Sequence, residues 1–238
     1  MKKLLTFIMS FIMIVSVNMV SFAETNINDI EATSEMIKYE QKLLEEIEGN
    51  LDEIHAQIEE YQSNLVSPYG VSYGGFQYLD GDILVTKSTS SAGLTGHAGM
   101  IVGEKVLEIT PAYNGSVPKA ISLATWFARY PSTMVVRYTA NRTVPVGAAW
   151  YGQTFYVDGE GKDNTYSIAS SITSLTSDYC SSLVWKCYHY GADFNYKVIL
   201  DGPQYSRWVD PTFIYPYDYV LASYIAYNGF SVVNSVNW

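Results

Sequence analysis

The sequence predicts an α+β domain behind a separate N-terminal helix, with strands first and a cysteine-bearing helix after them. Three patterns carry that expectation. Apolar residues recur every seven positions from 37 to 65, and residues 82–110 alternate apolar runs with turn signals. From Cys180 to Gly191 a helical stretch ends on a natural left-handed stop.

The first element is a leader. Lys2 and Lys3 precede an apolar run to about Val20, and Ser21-Phe22-Ala23 offers the small residues that a signal peptidase reads. Residues 1–23 are therefore expected to be a signal peptide, cut after Ala23. The alternative is a permanent anchor, but Ser10, Ser16 and Asn18 interrupt a run already short for about 30 Å of hydrocarbon. No cysteine stands near the cut for lipid attachment. The mature chain is thus expected to be secreted, extracellular or cell-wall associated, with no stable membrane insertion.

Residues 24–67 form an acidic segment. The net charge is −10, yet residues 24–65 hold 12 of the 24 acids and only Lys38 and Lys42. Setting aside Lys2 and Lys3 leaves 12 acids against 10 bases elsewhere, a balance of −2. There is no basic field for phosphates, so a nucleic-acid partner is not expected. Ile37, Leu44, Leu51, Ile58 and Leu65 make one heptad row, and Ile47, Ile54 and Tyr61 a second, which Glu40 breaks. Such spacing fits either a coiled coil, with self-association through residues 37–65, or an amphipathic helix laid on its own domain. Gly49-Asn50 weakens its middle, and Ser67-Pro68-Tyr69-Gly70 ends it. His55, among acids, reads as a solvated surface residue.

Residues 68–238 form the main domain, rich in Tyr (21 in the chain) and poor in Lys and Glu, a composition that suits strands. It also suits the binding of sugars or peptides at a cell wall. Residues 82–85 read as a strand, and residues 98–102 and 106–110 as a hairpin turning at Gly103-Glu104-Lys105. Residues 121–130 read as a helix, 133–139 as a strand, 154–157 as a further short strand, and 220–226 as a last hydrophobic stretch.

Cys180 opens its helix behind Ser177 or Asp178, either a good N-cap. In the first turn, free backbone N–H groups and the positive dipole end favour a thiolate and can line an oxyanion hole. The competing reading is a small buried residue. Cys187 lies seven residues on, roughly 10.5 Å at 1.5 Å per residue, beyond the about 7 Å that a disulfide allows. Cys180 therefore keeps a free thiol, and Cys187 is assigned to the core. A cysteine nucleophile needs a base in reach. Of the three histidines, His55 lies on the acidic helix and His189 is nine residues along the cysteine's own helix, which leaves His97. The hairpin brings Glu108 back beside His97, and a carboxylate in an apolar strand needs such a partner.

Gly81-Asp82-Ile83-Leu84-Val85 followed by Gly96-His97-Ala98-Gly99-Met100-Ile101-Val102-Gly103 resembles the "GD-hydrophobic … HVGI-x-G" signature of NlpC-type cell-wall hydrolases. In most of that family the cysteine helix precedes this signature. Here it follows, and a Glu replaces the usual third polar residue. The order His, Glu, Cys is similar to the circularly permuted YiiX/YaeF-like branch of the papain-like fold. Residues 117–126 resemble that branch's "V … SL … W" helix, Tyr179-Cys180-Ser181-Ser182-Leu183-Val184 its "YCSELV", and residues 215–220 its "P-x-D-L" segment. The resemblance runs from about Gly81 to Ser223.

It implies a permuted papain-like fold, in which an antiparallel sheet or half-open barrel carries His97 and Glu108 and packs on the Cys180 helix. It also implies a secreted cysteine hydrolase of the amidase or peptidase type. Cys180 would attack, His97 would move the proton, and Glu108 would hold the imidazole. No metal or organic cofactor is required, and the expected partner is a peptide or a peptidoglycan fragment. Two other functions share the fold: an acyltransferase or lipid/ester hydrolase, and a non-catalytic cell-wall-binding module.

Overall fold

The computed structural model describes residues 27–56, 70–89, 95–111, 116–201 and 206–238. The expected leader at 1–23, heptad positions 58, 61 and 65, and residues 67–69 of the breaker lie outside them. Helix α1 spans Ile27–Gly49, turns at Asn50 and resumes over residues 51–56. The weak Gly49-Asn50 pair is where it breaks, and the Asn50 side chain donates to the Glu46 carbonyl at 2.8 Å.

By its contacts, Glu40–Trp238 forms one compact unit, which takes in the second half of α1. The physical reason is burial. Glu40, Leu43, Ile47 and Ile54 are covered within that unit, whereas Leu44 and Leu51 of the first heptad row stay half-buried. Over residues 40–56 the amphipathic helix is laid on its own domain.

The unit is organised on a six-stranded antiparallel sheet. Its strands are β3 (Ile83–Thr86), β4 (His97–Val102), β5 (Lys105–Glu108), β6 (Lys119–Ser122), β7 (Thr133–Tyr138) and β12 (Phe230–Val236), in the order β12-β7-β3-β4-β5-β6. A small hairpin joins β1 (Val71–Tyr73) to β2 (Phe76–Tyr78). Every residue of β3 and β4 is buried, so both faces of the sheet centre are covered. One face holds Leu84, Ile101, Val106 and Val135 under Trp126 and Leu123 of α2 (Leu123–Arg129) and Tyr78 of β2. The region expected as one helix over 121–130 divides at Ser122, which caps α2 by accepting the Thr125 N–H at 3.1 Å, while Ile121 pairs with Val106 in the sheet.

The other face is covered by α3 (Thr143–Tyr151) and by α4 (Cys180–Ala192), which packs on β4. Residues 154–157, expected as a strand, instead continue α3 as a π-helical turn, Gly152–Val157. The β-branched and aromatic run is overridden by its seat: a Cβ on Gly152 would lie 2.9 Å from Val102 and 3.2 Å from Leu107. Gly191 likewise lies inside α4, not after it, and the left-handed stop is Asp193 at φ 50°. What Gly191 provides is a close helix crossing, since a Cβ there would stand 2.4 Å from the Gly147 carbonyl of α3.

The chain then forms the hairpin β10 (Val198–Asp201) and β11 (Ser206–Val209), a 3-10 turn at Pro216–Tyr219, and α5 (Ala222–Asn228) before β12. One buried ion pair ties the sheet to the turn before β3. Arg137 grips Asp82 with two bonds, Nε to Oδ1 at 2.7 Å and a terminal nitrogen to Oδ2 at 2.6 Å. The same carboxylate accepts the Leu79 N–H, so both of its oxygens are bonded.

Candidate active site

His97 is the first residue of β4, and the β4–β5 register pairs Met100 with Leu107 and Ile101 with Val106. Continuing that register puts Glu108 across from Gly99 on the His97 face, a diagonal neighbour within side-chain reach. The His97 Nε2 lies 2.7 Å from Glu108 Oε2, and both side chains are buried. The other Glu108 oxygen accepts a bond from Arg129 of α2 at 3.1 Å. The imidazole stacks on Trp126, with centroids 5.4 Å apart, and tilts against Tyr130 at 5.0 Å. With Nε2 on Glu108, Nδ1 is the nitrogen left for a thiol.

Cys180 supplies that thiol as the first residue of α4. Its side chain is buried, and the groups that act on its thiol electrostatically are the His97 ring first and then the Ala98 N–H. Burial by itself pushes the thiol up, but the hydrogen bond and charge of His97 outweigh it and hold the thiol below its ordinary value. For His97 burial works downward, and the bonds to Cys180 and Glu108 outweigh it, pushing the imidazole up to about 9. The two shifts run in the directions that favour a thiolate beside an imidazolium.

The helix cap differs from the expectation. Tyr179, in extended backbone, is the N-cap, and its N–H donates to Ser182 Oγ at 2.9 Å. Ser177 and Asp178 form strand β9 (Ser177–Asp178), parallel to β8 (Thr165–Tyr166). Asp178 is more useful buried: it accepts from Tyr156 at 3.0 Å, Asn164 at 2.7 Å and Lys186 Nζ at 2.7 Å. Lys186, from the second turn of α4, also donates to the Ser174 and Ser177 carbonyls. The strand leading into Cys180 is thereby pinned to the helix that Cys180 starts. Behind it, Ser181 Oγ donates to the Ile214 carbonyl at 2.7 Å and Tyr219 donates to the Ser181 carbonyl at 3.0 Å.

The structure thus brings Cys180, His97 and Glu108 into one buried chain. The remaining histidines and the second cysteine stand elsewhere. His55 is exposed on the N-terminal helix, His189 stacks on Trp185, and Cys187 is buried and free, its thiol pushed well up by burial. Of the tryptophans that could have offered stacking faces, Trp126 and Trp185 are buried, and Trp208 stacks on Tyr227 at 3.8 Å.

Sequence reasoning missed Arg129 and Tyr130, which no local motif marks, and Glu40. The one signal for Glu40 was that it broke an apolar row. Its side chain is buried and accepts the Gly96 N–H at 2.9 Å.

No protein-family model matches the chain. An "Uncharacterized 30.3 kDa protein" of Bacillus thuringiensis is 31% identical over 136 residues, covering 53% of this chain and 49% of that protein. The chain therefore spans about half the length of this curated relative. Among solved structures, the crystal structure of metalloprotein yiiX from Escherichia coli O157:H7 is similar, with a TM-score of 0.40 and 22% identity. That similarity covers 52% of this chain and 72% of yiiX. Among the described residues here, no group of three or more His, Cys, Asp or Glu side chains could hold a metal ion. Nor is any helix among them long and apolar enough to cross a membrane.

Proposed function

We propose that this chain is a secreted cysteine hydrolase with a permuted papain-like fold, which cleaves an amide bond of a peptide through an acyl-enzyme. The observation that carries the reading is the buried His97–Glu108 bond beside a buried thiol that His97 holds below its ordinary value, with the sulfur at a helix start. Opposed shifts on adjacent titratable groups are a mark of sites that do chemistry. An inert core cysteine, such as Cys187, shows the opposite direction.

The Cys180 thiolate attacks the carbonyl carbon, and the π electrons of the carbonyl move to its oxygen. The first-turn N–H groups of α4, which lack partners within the helix, stabilise that oxyanion. The oxyanion collapses, the C–N bond breaks, and the His97 imidazolium gives its proton to the departing nitrogen. This leaves a thioester on Cys180 and a neutral imidazole. His97 then takes a proton from water as the hydroxyl adds to the thioester. Loss of the thiolate releases the acid and restores the ion pair. Glu108 holds Nε2–H throughout, which keeps Nδ1 facing the sulfur.

A peptide of the cell wall is the substrate we favour, and the leader motivates it. Purified protein incubated with muropeptides and with acyl esters of increasing chain length, read by mass spectrometry, tests the assignment. Cleavage of a stem peptide that disappears in Cys180→Ala is the expected outcome. Ester turnover rising steeply with chain length, with no peptide cut, would instead show a lipid enzyme. No turnover of either class would leave a binding module.

A further inference from the structure

Glu40 stands 4% exposed where the heptad called for an apolar residue. Its Oε2 accepts the N–H of Gly96, the residue just before His97. Gly96 is pressed from another side as well: a Cβ there would lie 2.9 Å from the Tyr217 ring and 3.0 Å from Pro216. The peptide that enters β4 is therefore clamped between the N-terminal helix and the 3-10 turn. The next two residues are His97, whose ring is bonded to Glu108, and Ala98, and both residues act to hold the Cys180 thiol low. The helix is itself firmly seated, with Leu43, Ile47 and Ile54 buried beside Glu40 and an ion pair between Glu48 and Lys87 at 2.8 Å.

We propose that Glu40 is a positioning residue of the Cys180 site: through Gly96 it sets where His97 and the Ala98 N–H stand against the sulfur. The N-terminal helix is then part of the catalytic apparatus and not a spacer. This inference rests on the reading of Cys180 as a nucleophile. The titratable groups that face Glu40 are Cys180, Asp218, Tyr166 and Tyr217. Burial, aided by the charges of Cys180 and Asp218, pushes the carboxyl up to about 9 against the Gly96 bond. At neutral pH it offers an acceptor for Gly96 without adding negative charge near the thiolate. A glutamine can do the same, and an alanine cannot.

The test uses the full mature chain and the rate of Cys180 alkylation by iodoacetamide between pH 4 and pH 10, read by peptide mass spectrometry with Cys187 as internal control. Glu40→Ala is expected to raise the apparent thiol pKa and to slow labelling near pH 6 by about three- to tenfold. Glu40→Gln should follow the parent curve below about pH 8. Should Glu40→Ala not fold, Glu40→Asp, one methylene shorter, carries the same expectation in milder form. Superimposed profiles for parent, Ala and Asp variants, with Cys180 still reactive, overturn the inference and leave the hydrolase reading standing. A parent protein whose Cys180 labels only after denaturation overturns both.

Discussion

At Glu108 each carboxylate oxygen serves a different neighbour. Oε2 holds His97 in the core, and Oε1 meets Arg129, whose side chain is 52% exposed. Losses should differ accordingly. Glu108→Gln removes a buried charged partner of the imidazole and should cut kcat/KM on the order of 10²-fold or more. Arg129→Ala removes a solvent-screened one, worth at most about 1 kcal/mol, and should cost less than about fivefold. Equal losses in the two variants would mean that Arg129 also touches substrate.

The pH dependence follows from the signs. His97, held above its ordinary 6.5, stabilises the fold fully below 6.5 and loses that contribution as pH rises through about 9. Cys180, held low, stabilises the fold above the ordinary thiol value of 9.0 and loses that as pH falls through its depressed value. Their ion pair exists between the depressed thiol value and about 9, so kcat/KM should be bell-shaped with its alkaline limb near 9. Glu40, raised from 4.5 to about 9, likewise loses its contribution over that span. The melting temperature of Glu40→Gln should therefore gain on the parent as pH is raised from 5 to 9.

Among the elements, α4 has the most demanding seat. It crosses α3 where Gly147 and Gly191 let the backbones touch, it presents Cys180 at one end, and it buries Lys186 on its inner side. Lys186 is fully buried, as is Asp178, and the pair closes the loop over residues 164–178 onto the helix. Lys186→Ala leaves Asp178 without its countercharge and should cost about 3–5 kcal/mol of unfolding free energy in urea. Adding Asp178→Asn should recover part of it, a coupling that a double-mutant cycle measures. Additive losses would show that the two side chains act independently.

For the whole molecule, the question is what the acidic helix is for. Its row at Glu40, Ile47 and Ile54, with Leu43, is used inside the compact unit, while Leu44 and Leu51 are half-buried. Leu43→Ala or Ile47→Ala in the full mature chain should each cost about 2–5 kcal/mol of stability. Sedimentation across a range of concentrations should show a monomer. A concentration-dependent dimer would give the first heptad row to self-association.

The strand pattern, the β4–β5 hairpin and the start of the cysteine helix were legible because each rests on local periodicity and turn chemistry. His97 and Glu108 could be paired for the same reason, since a tight hairpin leaves little choice of register. Cys180 and Cys187 could be kept apart by helix rise alone. What local signals do not carry is which surface an element will meet. Residues 154–157 have strand composition, yet the floor formed by Val102 and Leu107 holds them as a π-helical turn. Asp178 has cap chemistry, yet a lysine in the second turn of the helix draws it inward, and Tyr179 caps instead. Arg129 lies 21 residues from Glu108, and Glu40 lies 56 from Gly96. The first bond exists only once α2 has packed on the sheet, and the second only once the N-terminal helix has. By itself the sequence marked most of the strands and helices and singled out Cys180, His97 and Glu108 as candidates. Tertiary packing alone decided the supports around that set, because a buried charge takes its partner from whatever the fold brings within hydrogen-bond reach and not from its neighbours along the chain.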